Sequence, residues 1–574
     1  MLRRIVIAAL LAGVFVPTSG AAGTALAPGI TYTRQLVFTP HGPEVVHVMT
    51  VPKPGGLYAL HPVLSNNAVL GRETVTSMQK RLSTTATVGG VNADLFTWND
   101  GTPNGMFMNS GRMTTAPYPR RSTVGVTTDG RLLVDQVAML ATWQGSSQRR
   151  PMTGLNQPAG PEGVSLFTSA WGPTTPAASD TIEVVVNSFP PVTSLTDLTG
   201  TVVAAKPAGG TPIPPGGAVL VGRGASAGRL ATEAPVGQQV TVRLVLRPQW
   251  SDVADAVGGG PVIVRNGRPV FRAMEQFTGT QLSLRRARTA VGQRADGKIV
   301  LVAVDGALPG YSTGMTNFEL AQQLVRLGAV TASALDSGTS TTMAFDGKLL
   351  NRPSDPGGER GIADGLFVFY YGVQVPAPTT DVLSPNGDGV DEAQQLSFKV
   401  VRPSTVKASL IGPDGVARQT QTGPRAPGTY TLDWAGRTPQ GAPESEGRWR
   451  WVVDARDDRG QQSHAERVFY LNNTLGYLRV SPSRIVVRRR GGALRVAFRL
   501  AHPATVTLKI STVSGATVQT VRRRLRAGTT SIRWNGRYGS GIRAFSGPYV
   551  ASVKAVNAFG PSKLERRFRV LRGR

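Results

Sequence analysis

Two aspartates each close a short apolar run. Ile299-Val300-Leu301-Val302-Ala303-Val304 stops at Asp305-Gly306, and a second run from Val330 to Leu335 stops at Asp336. Continuous runs with β-branched residues have the pattern of strands buried on both faces. Between them, Thr316 to Leu327 reads as a helix. Thr316 and Glu319 form a capping box, Leu320, Ala321, Leu324 and Val325 an apolar face, and Gly328 a stop. Such a βαβ crossover unit would run both strands the same way and deliver Asp305 and Asp336 to one carboxyl edge of a sheet. On neighbouring strands about 4.8 Å apart, the two carboxylates would fall within the roughly 5–10 Å of acid/base pairs acting on a glycosidic centre. The plainer alternative is that each Asp caps a turn. After Asp336, the small-residue loop Ser337-Gly338-Thr339-Ser340-Thr341-Thr342 offers hydroxyls and backbone N–H groups that can cradle phosphate or sugar oxygens. It could equally be a polar turn into a strand at Met343 to Phe345.

Other patterns carry less. Gly310-Tyr311-Ser312-Thr313-Gly314 spells a nucleophile elbow, but its strand ends early, at Asp305, and the later His464 and His502 belong to other domains. Gly258-Gly259-Gly260 lacks the Lys-Ser/Thr of a phosphate loop, leaving a turn or a close backbone approach to substrate. His41, His47 and His61 have no metal-ligand spacing. With no Cys in 574 residues, disulfides, thiolate nucleophiles and zinc-thiolate sites are excluded. The 68 Gly and 41 Pro favour short strands and many loops over helical bundles, and the length calls for several domains.

The ends of the chain set its organisation. Arg3 and Arg4, an apolar run from Ile5 to Val16 and small residues through Ala27 have the layout of a secretory signal over residues 1–27, with Ala22 and Ala25 as alternative cut points. No later run is long enough to span a membrane. The expected location is secreted or in the cell envelope.

In the last third, two stretches align 100 residues apart. Thr405-Val406 falls on Thr505-Val506, Trp434-Ala435-Gly436 on Trp534-Asn535-Gly536, and Gly460 on Gly560. Alternating segments between Gly-containing turns make these two all-β Ig-like sandwiches, residues 376–475 and 476–574, each anchored by its Trp. At the head of the first, the side chains of Asn386, Asp388 and Asp391 could circle a structural Ca²⁺ or form an Asx-type turn. From Tyr477 onward there are 22 Lys and Arg against one acid, Glu565, in a chain of formal charge +28. That end could hold an anionic cell-wall polymer, whereas nucleic acid is not an expected partner of an exported chain.

Residues 28–375 resemble the phosphodiester glycosidase family that includes the uncovering enzyme acting on N-acetylglucosamine phosphodiesters. The resemblance lies in Gly90-Val91-Asn92-Ala93-Asp94-Leu95-Phe96, Gly258-Gly259-Gly260-Pro261 and Arg288-Thr289-Ala290-Val291-Gly292. It continues through Val304-Asp305-Gly306, Leu335-Asp336-Ser337-Gly338-Thr339-Ser340, Asn351-Arg352-Pro353-Ser354 and Glu359-Arg360. The two sandwiches are similar to the Ig-like domain of flagellar-hook capping proteins. The family loop usually reads Asn-Leu-Asp-Gly-Gly-Gly-Ser, where this chain has Ala334-Leu335-Asp336-Ser337-Gly338-Thr339-Ser340. The resemblance implies an α+β, β-rich domain that hydrolyses sugar-1-phosphodiesters without a catalytic cofactor. It makes Asp336 and Asp305 the acid/base or nucleophile candidates. Glu319 is either catalytic or only a cap. Arg288 and Arg360 would clamp phosphate, and Asn92, Asp94, Ser340 and Thr341 would hydrogen-bond the substrate. The alternative is a non-enzymatic envelope protein that binds anionic polysaccharide through its basic last domain.

Overall fold

The computed structural model describes residues 23–270 and 274–573, so the signal-like segment up to Ala22 lies outside the described residues. Strands dominate, and the chain divides into two compact units. The first unit takes residues up to Lys53, His61–Val75 and Gly90–Leu366.

Its central sheet has eight strands in the order Thr24–Ala27, Ile30–Thr39, Gly42–Val51, Ile299–Val304, Arg288–Arg294, Ala329–Ala334, Val262–Arg265 and Arg268–Pro269. Every neighbouring pair is antiparallel. A cut after Ala22 would keep the first of these strands, and a cut after Ala27 would remove it.

The strands ending at Asp305 and Asp336 do point the same way, but they are not neighbours. Arg288–Arg294 lies between them and pairs with both. The simple βαβ arrangement is therefore corrected, and the two carboxyl ends stand about 10 Å apart, two strand spacings. The cause is local. Arg288–Arg294 and Ile299–Val304 are joined by a tight turn whose Gly297 has φ +82°, so the hairpin occupies the edge a direct crossover would have used.

The helix spans Asn317–Arg326, and both halves of the Thr316/Glu319 capping box are made. Leu320, Ala321 and Leu324 pack with Val46, Val302 and Ala332 in one core, burying this face of the sheet. A second eight-stranded sheet in the same unit closes over a separate core that includes Trp143, Phe189 and Trp250.

The second unit contains two sandwiches that repeat one another at the 100-residue offset. Gln394↔Trp434 and Leu494↔Trp534 open equivalent strand pairs. Trp434 packs on Trp449 and Phe469, Trp534 on Tyr549 and Phe568. The two indoles donate to the carbonyls of Arg437 (3.2 Å) and Arg537 (2.8 Å).

At the proposed calcium loop the side chains build the turn. Asn386 Oδ1 accepts from Asp388 N–H (3.0 Å), Asp388 Oδ1 from Val390 N–H (2.9 Å) and Asp388 Oδ2 from Tyr477 N–H (2.8 Å). The described residues contain no group of three or more His, Cys, Asp or Glu placed to hold a metal ion. No described helix is long and apolar enough to cross a membrane.

Candidate active site

Asp336 sits where Ala329–Ala334 leaves the central sheet. Leu335 N–H donates to Thr289 O (2.9 Å) and Asp336 N–H to Ala93 O (2.8 Å), so the loop is tied to two further segments before it turns. Gly338, at φ +75°, allows the turn, and its N–H reaches Ala287 O at 2.8 Å. One Asp336 oxygen accepts Ser337 N–H (2.8 Å), and Ser340 hydrogen-bonds the same carboxyl. Burial nevertheless pushes Asp336 up to about 6, against the pull of these bonds and of the Arg360 and Arg286 charges. A narrow cleft of about 20 Å³ opens beside it, lined by Leu95, Phe277, Gln281, Arg288 and Asn317 among others. Asn317 Oδ1 is buried there with no hydrogen-bond partner among the described residues, which leaves an acceptor for a ligand hydroxyl.

Behind Asp336 lie two further buried carboxyls. Asp94 N–H donates to Asp364 Oδ1 (2.8 Å), and Gly105 N–H to Asp94 Oδ2 (2.5 Å). Asp364 Oδ2 has no partner among the described residues. Burial, then the Asp364 charge, pushes Asp94 well above the usual carboxylate range. Burial lifts Asp364 to about 7; the Asp94 N–H opposes the rise and the Asp336 charge adds to it. The glycine run serves this group. A Cβ on Gly258 would lie 2.4 Å from the Asp94 carboxyl, and Gly260 N–H bonds Ala334 O at 2.9 Å. The run is thus a close backbone approach to protein groups, the Asp94 carboxyl and the strand end that carries Asp336.

The other expected site residues fall elsewhere. Asp305 is fully buried and enclosed by His47 Nε2 (2.9 Å), Asn351 Nδ2 (3.1 Å), Arg352 N–H (3.0 Å) and Tyr311 OH (3.2 Å). With its oxygens so engaged it braces the fold and does not pair with Asp336. Gly306 is small because a Cβ there would lie 2.2 Å from Ala287 N. Asn92 is also a brace: Nδ2 donates to Asp336 O (2.8 Å), and Oδ1 accepts from Thr289 Oγ1 (2.8 Å) and Thr342 N–H (3.0 Å). Thr341 is buried against Thr289.

Arg288 is no open phosphate clamp. Its guanidinium donates to the carbonyls of Met315 (2.9 Å), Gln281 (2.9 Å) and Leu284 (2.6 Å), and burial lowers it to about 10, still charged at neutral pH. The half-buried Arg286 acts on Asp336 instead, together with Arg360. Arg360 is held by Asp355 (2.7 Å) and stacks 4.9 Å from the ring of Trp98. Sequence reasoning misses Asp364 and Arg286. Asp364 is a lone Asp at the first position of an apolar strand, and Arg286 lies just outside a strand.

Glu319 closes the capping box and meets Arg285 Nη2 at 2.5 Å. Burial pushes it up, but the bonds from Arg285 and Thr316 outweigh that and hold it below its ordinary value. The Glu319→Ala protein should therefore lose about 1–2 kcal/mol of stability in denaturant unfolding with turnover changed less than about twofold. A thousandfold loss of turnover in a folded protein would return Glu319 to the reacting groups.

Residues 190–369 match the family model of the phosphodiester glycosidases, and residues 485–558 match that of the FlgD Ig-like domain. The uncharacterized SPbeta prophage-derived protein YomE of Bacillus subtilis (strain 168) is 29% identical over 159 residues, 28% of this chain and 24% of that protein. The N-acetylglucosamine-1-phosphodiester alpha-N-acetylglucosaminidase of Bos taurus is 41% identical over 69 residues, 12% of this chain and 13% of that protein. The matched stretches thus span about a quarter and an eighth of the lengths of these curated relatives. Among solved structures, a hypothetical protein from Synechocystis shares the fold at TM-score 0.53 and 25% identity, over 62% of this chain and 64% of that one.

Proposed function

We propose that this chain, whose residues 190–369 carry a phosphodiester glycosidase domain, is an exported hydrolase that cleaves the glycosidic bond of sugar-1-phosphodiesters in envelope or extracellular glycans. The observation that carries this reading is Asp336, lifted to about 6 beside a cleft and acted on by Arg286 and Arg360. Above that pH the carboxylate takes a proton from water as the water oxygen bonds to the sugar C1. The C1–O bond breaks, its electron pair stays on the phosphate oxygen, and the leaving group departs as a phosphate monoester. Arg286 and Arg360 neutralise its charge, and Asn317 Oδ1 accepts a hydroxyl. No cofactor is needed in these steps. The substrate class follows the name of the bovine relative, an N-acetylglucosamine-1-phosphodiester.

Export rests on the Arg3-Arg4 and apolar Ile5 to Val16 pattern. The charge of residues 477–574 favours a second role, retention on an anionic cell-wall polymer. Were the first domain inactive, that binding would be the whole function. Incubation of the mature protein with a panel of nucleotide sugars and other sugar-1-phosphodiesters tests the enzymatic reading. Free reducing sugar is expected, and none from a folded protein across the panel would leave the binding role alone.

A further inference from the structure

The two sandwiches share a fold and differ in the charge of one sheet face. In the first, strand register lays Thr422, Lys407, Asp454 and His464 in one row across the outer face. Charges there are mixed: Asp454 lies 2.7 Å from His464 and Arg450 3.5 Å from Glu466, beside the exposed cations Lys407, Arg448 and Arg456. The equivalent row of the second sandwich is Arg522, Thr507, Lys554 and Lys563. Farther along the same face, Val468 and Tyr470 are replaced by Arg567 and Arg569, the latter beside Arg484, while their register partners Arg450 and Arg448 become Val550 and Pro548. Every cation of this second set is exposed, and Glu565, 2.7 Å from Lys563, is the one acid among them.

Charge on an exposed sheet commonly protects an edge strand from pairing with another chain. That accounts for Arg522 on the edge strand Thr517–Leu525, Arg484 on the opposite edge, and Lys563 and Arg567 beyond the reach of that edge strand, but not for Lys554 and Arg569. Lys554 lies on Gly547–Asn557 between two strands and Arg569 is paired on both sides, whereas Lys563 and Arg567 lie on a stretch of Gly560–Arg572 with a paired strand on one side only. Like charges on adjacent strands repel. The first sandwich sets Asp454 and Glu466 among its face cations, where the second has Lys554 and the single acid Glu565, so the extra repulsion in the second is a cost that a bound anion would offset.

Rows about 4.8 Å apart across strands, with same-face residues about 6.7 Å apart along them, make a two-dimensional array of cations. Such an array suits a linear polymer with closely spaced charges better than a single small anion. The residues between the cations, Thr505, Thr507, Ser552 and Val550, include no aromatic ring, so the stacking platform typical of single-stranded nucleic-acid binders is missing. We infer that this face of the last sandwich binds a linear polymer of polyol or sugar units joined by phosphodiesters, the polymer class whose sugar-bearing members the first domain is proposed to cleave. The choice of phosphodiester over carboxylate polymers rests on that reading.

The test replaces three cations by the residues the first sandwich has at those places, Arg522→Thr, Lys554→Asp and Lys563→His, in the full mature chain. Retention on immobilised poly(glycerol phosphate) should weaken about tenfold or more, and the steep loss of wild-type binding between about 0.05 and 0.3 M salt should flatten. An unchanged unfolding midpoint certifies the variant, and Lys554→Asp alone should give an intermediate loss. Equal retention of wild type and triple variant would overturn the inference. So would wild-type binding to duplex DNA or to hyaluronate as tight as to poly(glycerol phosphate). Sugar release from a small soluble phosphodiester should be the same in wild type and triple variant. Polymer binding without any sugar release would sink the enzymatic reading and leave the face standing, while release without face-dependent binding would do the reverse.

Discussion

The Asp336→Asn protein should release sugar about 10³-fold more slowly than the wild type, with kcat falling and KM nearly unchanged. The exchange is isosteric. Asn Oδ1 can still accept the Ser337 N–H (2.8 Å), and Ser340 can turn its hydroxyl to accept from the amide. What disappears is a group that exchanges a proton near pH 6, and positioned acid/base groups contribute about 10²–10⁴-fold. The wild-type activity should rise through a limb near pH 6 as Asp336 ionises, and the variant's residual activity should lack it. Asp305→Asn makes the contrast. His47, Asn351, Arg352 and Tyr311 converge on that carboxylate, so its replacement should strike folding first, in urea unfolding as much as in turnover. A folded Asp336→Asn protein with full activity would refute the role of the loop.

Local signals were legible in the sequence and spatial neighbours were not. The strand from Ile299, the capping box at Thr316 and the exit of the chain at Asp336 each depend on residues within a few positions, and they stand where the pattern put them. The tandem sandwiches were legible because a gapless 100-residue offset preserves register, down to the indole bonds of Trp434 and Trp534. The order of strands in the sheet was hidden, because chain neighbours are only usually sheet neighbours and a hairpin intervened. The same limit misplaced Asp305, whose partner His47 lies 258 residues away, and concealed Asp364, whose bond to Asp94 spans 270. Arg288 and Arg286 show a finer limit. Motif resemblance marked the arginine that anchors backbone carbonyls, and only the fold distinguishes it from the one two residues earlier whose charge acts on Asp336.

The Asp364→Asn protein should lose a large part of the pH dependence of stability, the part left being that of Asp94 and Asp336, while keeping the activity limb of Asp336. Burial lifts Asp364 from its ordinary value to about 7, so the folded protein holds this proton more tightly than the unfolded chain does. The resulting stabilisation is fully present below about pH 4, where the unfolded carboxyl is also protonated, and is lost as pH rises through about 7. Asp94, raised in the same direction, adds to the slope. Asparagine keeps the acceptor for the Asp94 N–H and puts a neutral amide where Oδ2 has no partner. Each pH step separating the folded from the unfolded titration is worth about 1.4 kcal/mol, so at about pH 8 the variant should be more stable than the wild type by on the order of 2–4 kcal/mol. Near pH 4 it should be level or about 1 kcal/mol weaker, since the amide nitrogen is itself unpaired. Thermal unfolding from pH 4 to 8 reads both ends, and the two curves should cross. Asp336 titrates first, near 6, and its charge is one of the causes that hold Asp364 higher. Removing Asp364 should thus leave the activity limb near pH 6. Parallel stability curves, or a limb moved to about pH 5 or pH 7, would mean that the buried pair is not separable from Asp336.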